Sequence, residues 1–410
     1  MKDTKRSGFL FFGIGLMLLL STFSYTVLRD MQSALIVQKL NLDLIPKLKV
    51  MVVPLILIFG LLMLSFCRKG KIGRGFLLLF PLNTVIWGLL ASYFQSEHSL
   101  LYGGMYVWSS VSMSLSVTLI WGYANQEFTF KKAAIQYPLL ALIFPSSGAL
   151  LGGHFFKQLS ECNFSLSKIY LITLLTAMGA SLLIFAIYLL LNSFRFDEKE
   201  QGGPVSWGYW LTFGLLLFGV KFSSTFPKMA FKMELHRLYP DPSSYMQFMA
   251  KYASISGWVS VGGSLIGVGL GAILYYRGAK DFFKVISFIL LGMTIFGLST
   301  VLIRSIGITM LSSVLYSGLM GAFIALRELA FFGIKKESRF TAKIVLDLIL
   351  CSFAAIFGST IITLTAVLMG NMNQNGNALI FFIAMVVCFV SLYRIRREMR
   401  KGIPRRENCR

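Results

Sequence analysis

The sequence is short of charge, and above all of negative charge. Only 14% of its 410 residues are charged, against 56% that are hydrophobic. A soluble domain places charge on about a quarter of its residues to cover its surface. That shortage excludes a soluble globular protein of this length and turns most of the exterior towards lipid. Asp and Glu number 17 against 39 Lys and Arg, which leaves a net charge of +22. Such an excess suits a nucleic-acid binder in principle. Here the basic residues stand in short stretches between apolar runs, where they meet anionic headgroups and set orientation, so no nucleic-acid partner is expected. The five cysteines are scattered without a CxxC pair, which argues against both a disulfide framework and a zinc site. GxxxxGK[ST], HExxH and nucleophile-elbow spacings are all missing, and the three histidines stand apart. No catalytic residue, metal or cofactor is therefore expected.

What the chain does have is long apolar runs. A membrane-spanning helix takes roughly 20 apolar residues. Twelve segments meet that description, near 8–28, 50–66, 76–95, 101–123, 134–156, 168–192, 207–230, 252–276, 282–303, 308–332, 342–369 and 377–394. The first follows Lys2, Lys5 and Arg6 and is too long for the core of a signal peptide, so it reads as an uncleaved helix. The polar stretch 195–206 reads as a linker between a bundle over 1–194 and a second over 207–394, with a basic tail over 395–410. Lys and Arg concentrate at the N-terminus, in every second connection and in the tail. The positive-inside rule then puts both termini in the cytoplasm, with a bacterial inner membrane the expected location.

The halves also resemble each other. Glu127 and Glu328 end the fourth and tenth segments, separated by nearly the spacing between the starts of segments one and seven. Six plus six segments around a central polar loop is the pattern of the major facilitator architecture. The expected fold class is an all-α integral membrane protein of twelve transmembrane helices in two six-helix pseudo-repeats.

Charges within or beside apolar runs are the candidate functional residues, because an unpaired charge in the bilayer is costly and marks a cavity or a pair. Lys221 stands inside the seventh segment, where it either lines a cavity or snorkels to the headgroups. Lys228 and Lys232 follow at helical spacing and would share its face. Arg29 and Asp30 close the first segment, Lys49 opens the second and Arg304 ends the ninth. Glu127, Arg327 and Glu328 close the fourth and tenth, while Lys343 and Asp347 open the eleventh at i and i+4. Arg29, Lys49, Asn125, Lys221, Lys228, Arg304 and Arg327 are the substrate-binding candidates. Asp30, Glu127, Glu328, Lys343 and Asp347 are the gating or ion-pair candidates. Trp108, Trp121 and Tyr123 either stack on a base or simply pack.

Four stretches, in order along the chain, carry a family resemblance. They are Tyr25-Thr-Val-Leu-Arg-Asp-Met31 with Leu44-Ile-Pro-Lys-Leu-Lys49; Trp121-Gly-Tyr-Ala-Asn125 with Tyr137-Pro138; Leu235-His-Arg-Leu-Tyr-Pro240; and Arg327-Glu-Leu-Ala330 with Lys343-Ile-Val-Leu-Asp347. Together they resemble the ATP/ADP translocases of plastids and obligate intracellular bacteria, the nucleotide transporter family. The resemblance implies a monomeric transporter exchanging or importing nucleotides by alternating access. It carries over Arg29, Asp30, Lys49, Asn125, Glu328, Lys343 and Asp347, with Arg327 in place of a lysine. Gln32 stands where the family has a lysine, Lys228 where it has a glutamate, and Lys221 is an added charge. Another anionic metabolite on the same fold, or a non-transporting member, are the alternatives.

Overall fold

The structure, a computed structural model, describes the chain outside residues 1, 40–43, 68–70, 94–98, 129, 163, 194–206, 240–243, 245–246, 249–250, 253–254, 256–257, 260–278, 304, 332–333, 335, 370–373 and 403–410. Every regular element among the described residues is helical. Lipid offers no partner for backbone N–H and C=O groups, so a spanning segment must satisfy them within itself. Among the described residues, eight helices are long and apolar enough to cross a membrane.

The first half comprises α1 (Lys2–Lys39), α2 (Leu44–Phe66), α3 (Gly73–Ser92), α4 (Ser99–Glu127), α5 (Phe130–Glu161) and α6 (Leu166–Asn192). The second comprises α7 (Trp207–Ser223), α8 (Thr225–Leu238), α9 (Ala279–Leu302), α10 (Ile306–Ala330), α11 (Lys336–Ala342), a π-helical segment (Lys343–Leu350), α12 (Cys351–Met369) and α13 (Gln374–Gly402). Eleven of the twelve predicted segments are met by helices. The eighth, 252–276, lies largely outside the described residues.

Two helices depart from simple apolar spans. α4 is 29 residues long but diluted by serines, among them Ser109, Ser110, Ser112, Ser114 and Ser116. The seventh segment, expected as one helix, breaks at Ser224 into α7 and α8. The serines lower the hydropathy of α4, and the break leaves α7 apolar but only 17 residues long, which is why neither reads as a plain span.

Hydroxyls in the helices close back on their own backbones. Thr173 donates to Ile169 O at 2.9 Å, Thr294 to Leu290 O at 2.8 Å and Ser352 to Leu348 O at 2.6 Å. This satisfies them away from water. Between helices the chain relies on small residues, since apolar association gains little in lipid. Gly148 and Gly152, four apart on α5, let it lie directly on α1. A Cβ on Gly148 would strike the Leu19 carbonyl oxygen, and one on Gly152 would sit 2.8 Å from that of Phe23. α3 packs on α6 in the first half, and α7 on α13 in the second. The halves meet where α2 and α4 reach the π segment and where α5 packs on α10.

Candidate functional site

The tenth and eleventh segments bring four charged side chains into one buried cluster. Lys343 and Glu328 are both 0% exposed. The Lys343 ammonium donates to both Glu328 oxygens at 2.6 Å and lies 3.2 Å from Asp347 Oδ2. Arg327 donates through Nη1 to Asp347 Oδ1 at 2.5 Å and through Nη2 to Glu328 Oε1 at 2.7 Å. Two cations thus alternate with two anions and the four charges cancel. The Phe331 ring lies 4.8 Å from the Lys343 nitrogen and adds a cation–π contact. Burial of ion pairs is tolerable only when geometry is good and remaining lone pairs are bonded. Here both oxygens of each carboxylate have a donor.

This cluster is also a seam between the halves. Asn125 at the end of α4 is 1% exposed. Its Oδ1 accepts from the Tyr137 hydroxyl at 2.9 Å, which orients the amide so that Nδ2 donates to Glu328 Oε2 at 3.5 Å. From the opposite side, Arg339 reaches back. It donates to the Ile334 carbonyl at 2.8 Å and to the Asn125 carbonyl at 3.3 Å. Gly122, one turn before Asn125, makes room for the seam, since a Cβ there would lie 2.6 Å from the Phe340 ring. The π segment holds Lys343 and Asp347 together on one side. π-helical turns are rare and concentrate at functional positions.

Lys221 lies beside the seam. It is exposed on α7 and within electrostatic reach of Asp347 and Cys351. Among the described residues no carboxylate is within ion-pair distance of its ammonium.

The remaining sequence candidates scatter. Asn125 and Arg327, expected to bind substrate, are engaged in the seam instead, because the carboxylates of α10 and the π segment take up their donors. Arg29 is half-buried on α1, Glu127 half-buried at the end of α4, and Lys228 exposed on α8. The break at Ser224 separates Lys228 and Lys232 from the helix of Lys221, so the expected single basic stripe belongs to two helices. The side chains of Asp30 and Lys49, and all of Arg304, lie outside the described residues. Gln32, where the resemblance leads one to look for a lysine, is buried and donates to Ser109 Oγ and to the Met105 carbonyl, the latter at 3.3 Å. Its amide ties α1 to α4 rather than meeting a solute. The aromatics pack. Trp121 lies edge-on to Tyr137 at 5.2 Å, Trp108 edge-on to Phe59 at 5.3 Å, and Tyr123 against Phe76 and Tyr188 at 5.8 Å. Arg339 was not singled out from the sequence, where it looks like any other basic residue of its connection.

The sequence matches no protein-family model and no curated protein. Solved structures do match, over nearly the whole chain. The human organic anion transporter MFSD10 superposes with a TM-score of 0.64 at 14% identity, covering 95% of this chain and 99% of that one. The E. coli fucose:proton symporter FucP gives 0.61 at 15%, covering 92% and 98%. This chain has the major facilitator fold. A bacterial homologue of the iron transporter ferroportin, in its outward-facing state, gives 0.59 at 13%, covering 94% and 99%. At such identities the major facilitator likeness speaks to architecture alone. None of these three neighbours is an ATP/ADP translocase.

Proposed function

We propose that this protein is a membrane transporter that moves a small anionic solute by alternating access. The observation that carries the reading is a buried, charge-balanced seam joining the halves at one end, with the exposed Lys221 beside it. In such a cycle the seam is the gate. It holds one end shut while the other is open, and it must break for the solute to leave. Breaking Asn125–Glu328 and Arg339–Asn125 separates the halves without unpairing the four charges, which stay together on the second half. Each of these bonds joins one charged group, Glu328 or Arg339, to the neutral Asn125, and water takes the place of Asn125 when the gate opens. That one of these neighbours is a fucose:proton symporter and another an organic anion transporter agrees with this reading.

The solute proposed is a nucleotide, following the resemblance in the four stretches above. Several negative charges cannot enter a low-dielectric path unescorted, and Lys221 supplies the first counter-charge. Both termini are proposed to face the cytoplasm of a bacterial inner membrane, with 195–206 linking the halves and a single chain sufficing.

Reconstitution tests this. Liposomes holding the purified chain are expected to take up labelled ATP or ADP, and Lys221→Ala to reduce uptake at low solute by about tenfold, while Lys221→Arg retains most of it. Uptake of another organic anion with the same Lys221 dependence would keep the mechanism and replace the nucleotide. No uptake of any anion would end the reading.

A further inference from the structure

We infer that the second half holds a separate ligand site, away from the path between the halves, for an uncharged or zwitterionic amphipath with a hydrogen-bond acceptor at its head. A cavity of about 380 Å³ opens among α8, α9, α12 and α13, with every described lining residue from the second half. Small-molecule pockets run from roughly 300 to 1,000 Å³, so this one suits a single small ligand, or the headgroup or one chain of a lipid. Its position sets it apart from the seam. α9 ends at Leu302 and α10 begins at Ile306, on the cavity side. Arg327 stands near the other end of α10, about 30 Å away at 1.5 Å per residue.

The lining is graded from apolar to polar. Phe226, Met233 and Ile362 give apolar surface, with Phe226 three turns before Arg237 on α8. The polar rim lies at helix ends, with Arg237 in the last turn of α8 and Asn377 in the first turn of α13. Helix ends of spanning segments meet the headgroup region. An amphipath with its head at the rim and its body inward matches this gradient.

Two features define the head. Arg237 donates to Glu234 through Nε at 3.2 Å and Nη2 at 2.8 Å. The charges of the described lining residues therefore cancel, favouring neither an anion nor a cation. Asn377 is 4% exposed, and its Oδ1 accepts the Thr365 hydroxyl at 3.2 Å. That bond fixes the amide's orientation and leaves Nδ2 for the cavity. Among the described residues nothing accepts from it. Buried polar groups nearly always have partners, so an amide donor held in this way points to a ligand acceptor.

The test uses the full chain in amphipol, with monooctanoylglycerol as the probe and calorimetry as the readout. Native mass spectrometry of the purified protein reports retained phosphatidylethanolamine. Saturable one-site binding of the probe is expected, weakened about tenfold by Asn377→Leu and abolished by Met233→Trp. Met233 is 41% exposed, so a tryptophan at the mouth fills the cavity without disturbing the core, and an unchanged thermal melt shows that the variant is folded. Phosphatidylethanolamine retained on the wild type and lost from Met233→Trp assigns the site to a bilayer lipid. Probe binding without retained lipid assigns it to a free solute. Absence of both, or binding that neither variant changes, overturns the inference. Because the readout is binding, the outcome does not depend on uptake by the central path.

Discussion

Glu328 and Lys343 have no exposed surface at all, so removing one upsets the balance of the four-charge cluster and leaves it with a net buried charge. Breaking a buried pair in this way costs about 3–5 kcal/mol. Lys343→Met is therefore expected to lower the thermal midpoint in detergent sharply, and Lys343→Met with Glu328→Gln to recover much of the loss. A midpoint that does not move in the single variant would show that the pair contributes nothing to stability. These residues were legible in the sequence because charges beside apolar runs are conspicuous. Arg339 was not. It stands among Lys335, Lys336 and Lys343, and nothing local separates a snorkelling basic residue from one folded inward onto two carbonyls. Cys67 illustrates the bland outcome. Burial pushes its thiol up to about 11, against the pull of a backbone bond from Gly75 and the charge of Arg74, so it stays protonated near neutral pH.

Elements meet at the seam through two glycines. Gly122 lets Phe340 lie against α4, and Gly60 on α2 faces Leu348 and Ile344 of the π segment. Gly122→Leu is expected to hold the halves apart. In a chain whose other cysteines are replaced, it should raise the alkylation rate of Cys351, buried one turn past Asp347, by several-fold. An unchanged rate would mean that Phe340 simply swings aside. The close packing of α1 on α5 through Gly148 and Gly152 was present in the sequence as a small-xxx-small pattern. The break at Ser224 and the π segment left no such mark. The break does have Pro227 in the first turn of α8, which cannot donate to the Ser223 carbonyl and so favours ending α7 there, whereas the π segment has neither proline nor glycine and is decided by what packs around it.

The whole molecule is two bundles joined at one end, which makes orientation testable. Fluorescent-protein fusions after residues 200 and 410 are expected to glow, and alkaline-phosphatase fusions at residue 97 to be active, in a bacterial host. The opposite pattern would reverse the sidedness proposed from the Lys and Arg bias. The stripe of lysines expected along one seventh helix is instead divided, with Lys221 on α7 and Lys228 and Lys232 on α8. Whole-molecule geometry also removes Trp108, Trp121 and Tyr123 as stacking partners, because each is buried within the first half.

Composition and hydropathy alone settled that this chain lives in lipid, in about a dozen spans with an internal six-plus-six pattern. They suffice because a bilayer imposes length, apolarity and backbone closure on each segment separately. Which charges pair was decided only in three dimensions. Glu328 finds Lys343 fifteen residues on and Asn125 two hundred residues back, and such partners depend on how the bundles dock. The same holds for the cavity at Asn377, which four helices form jointly and no single segment encodes.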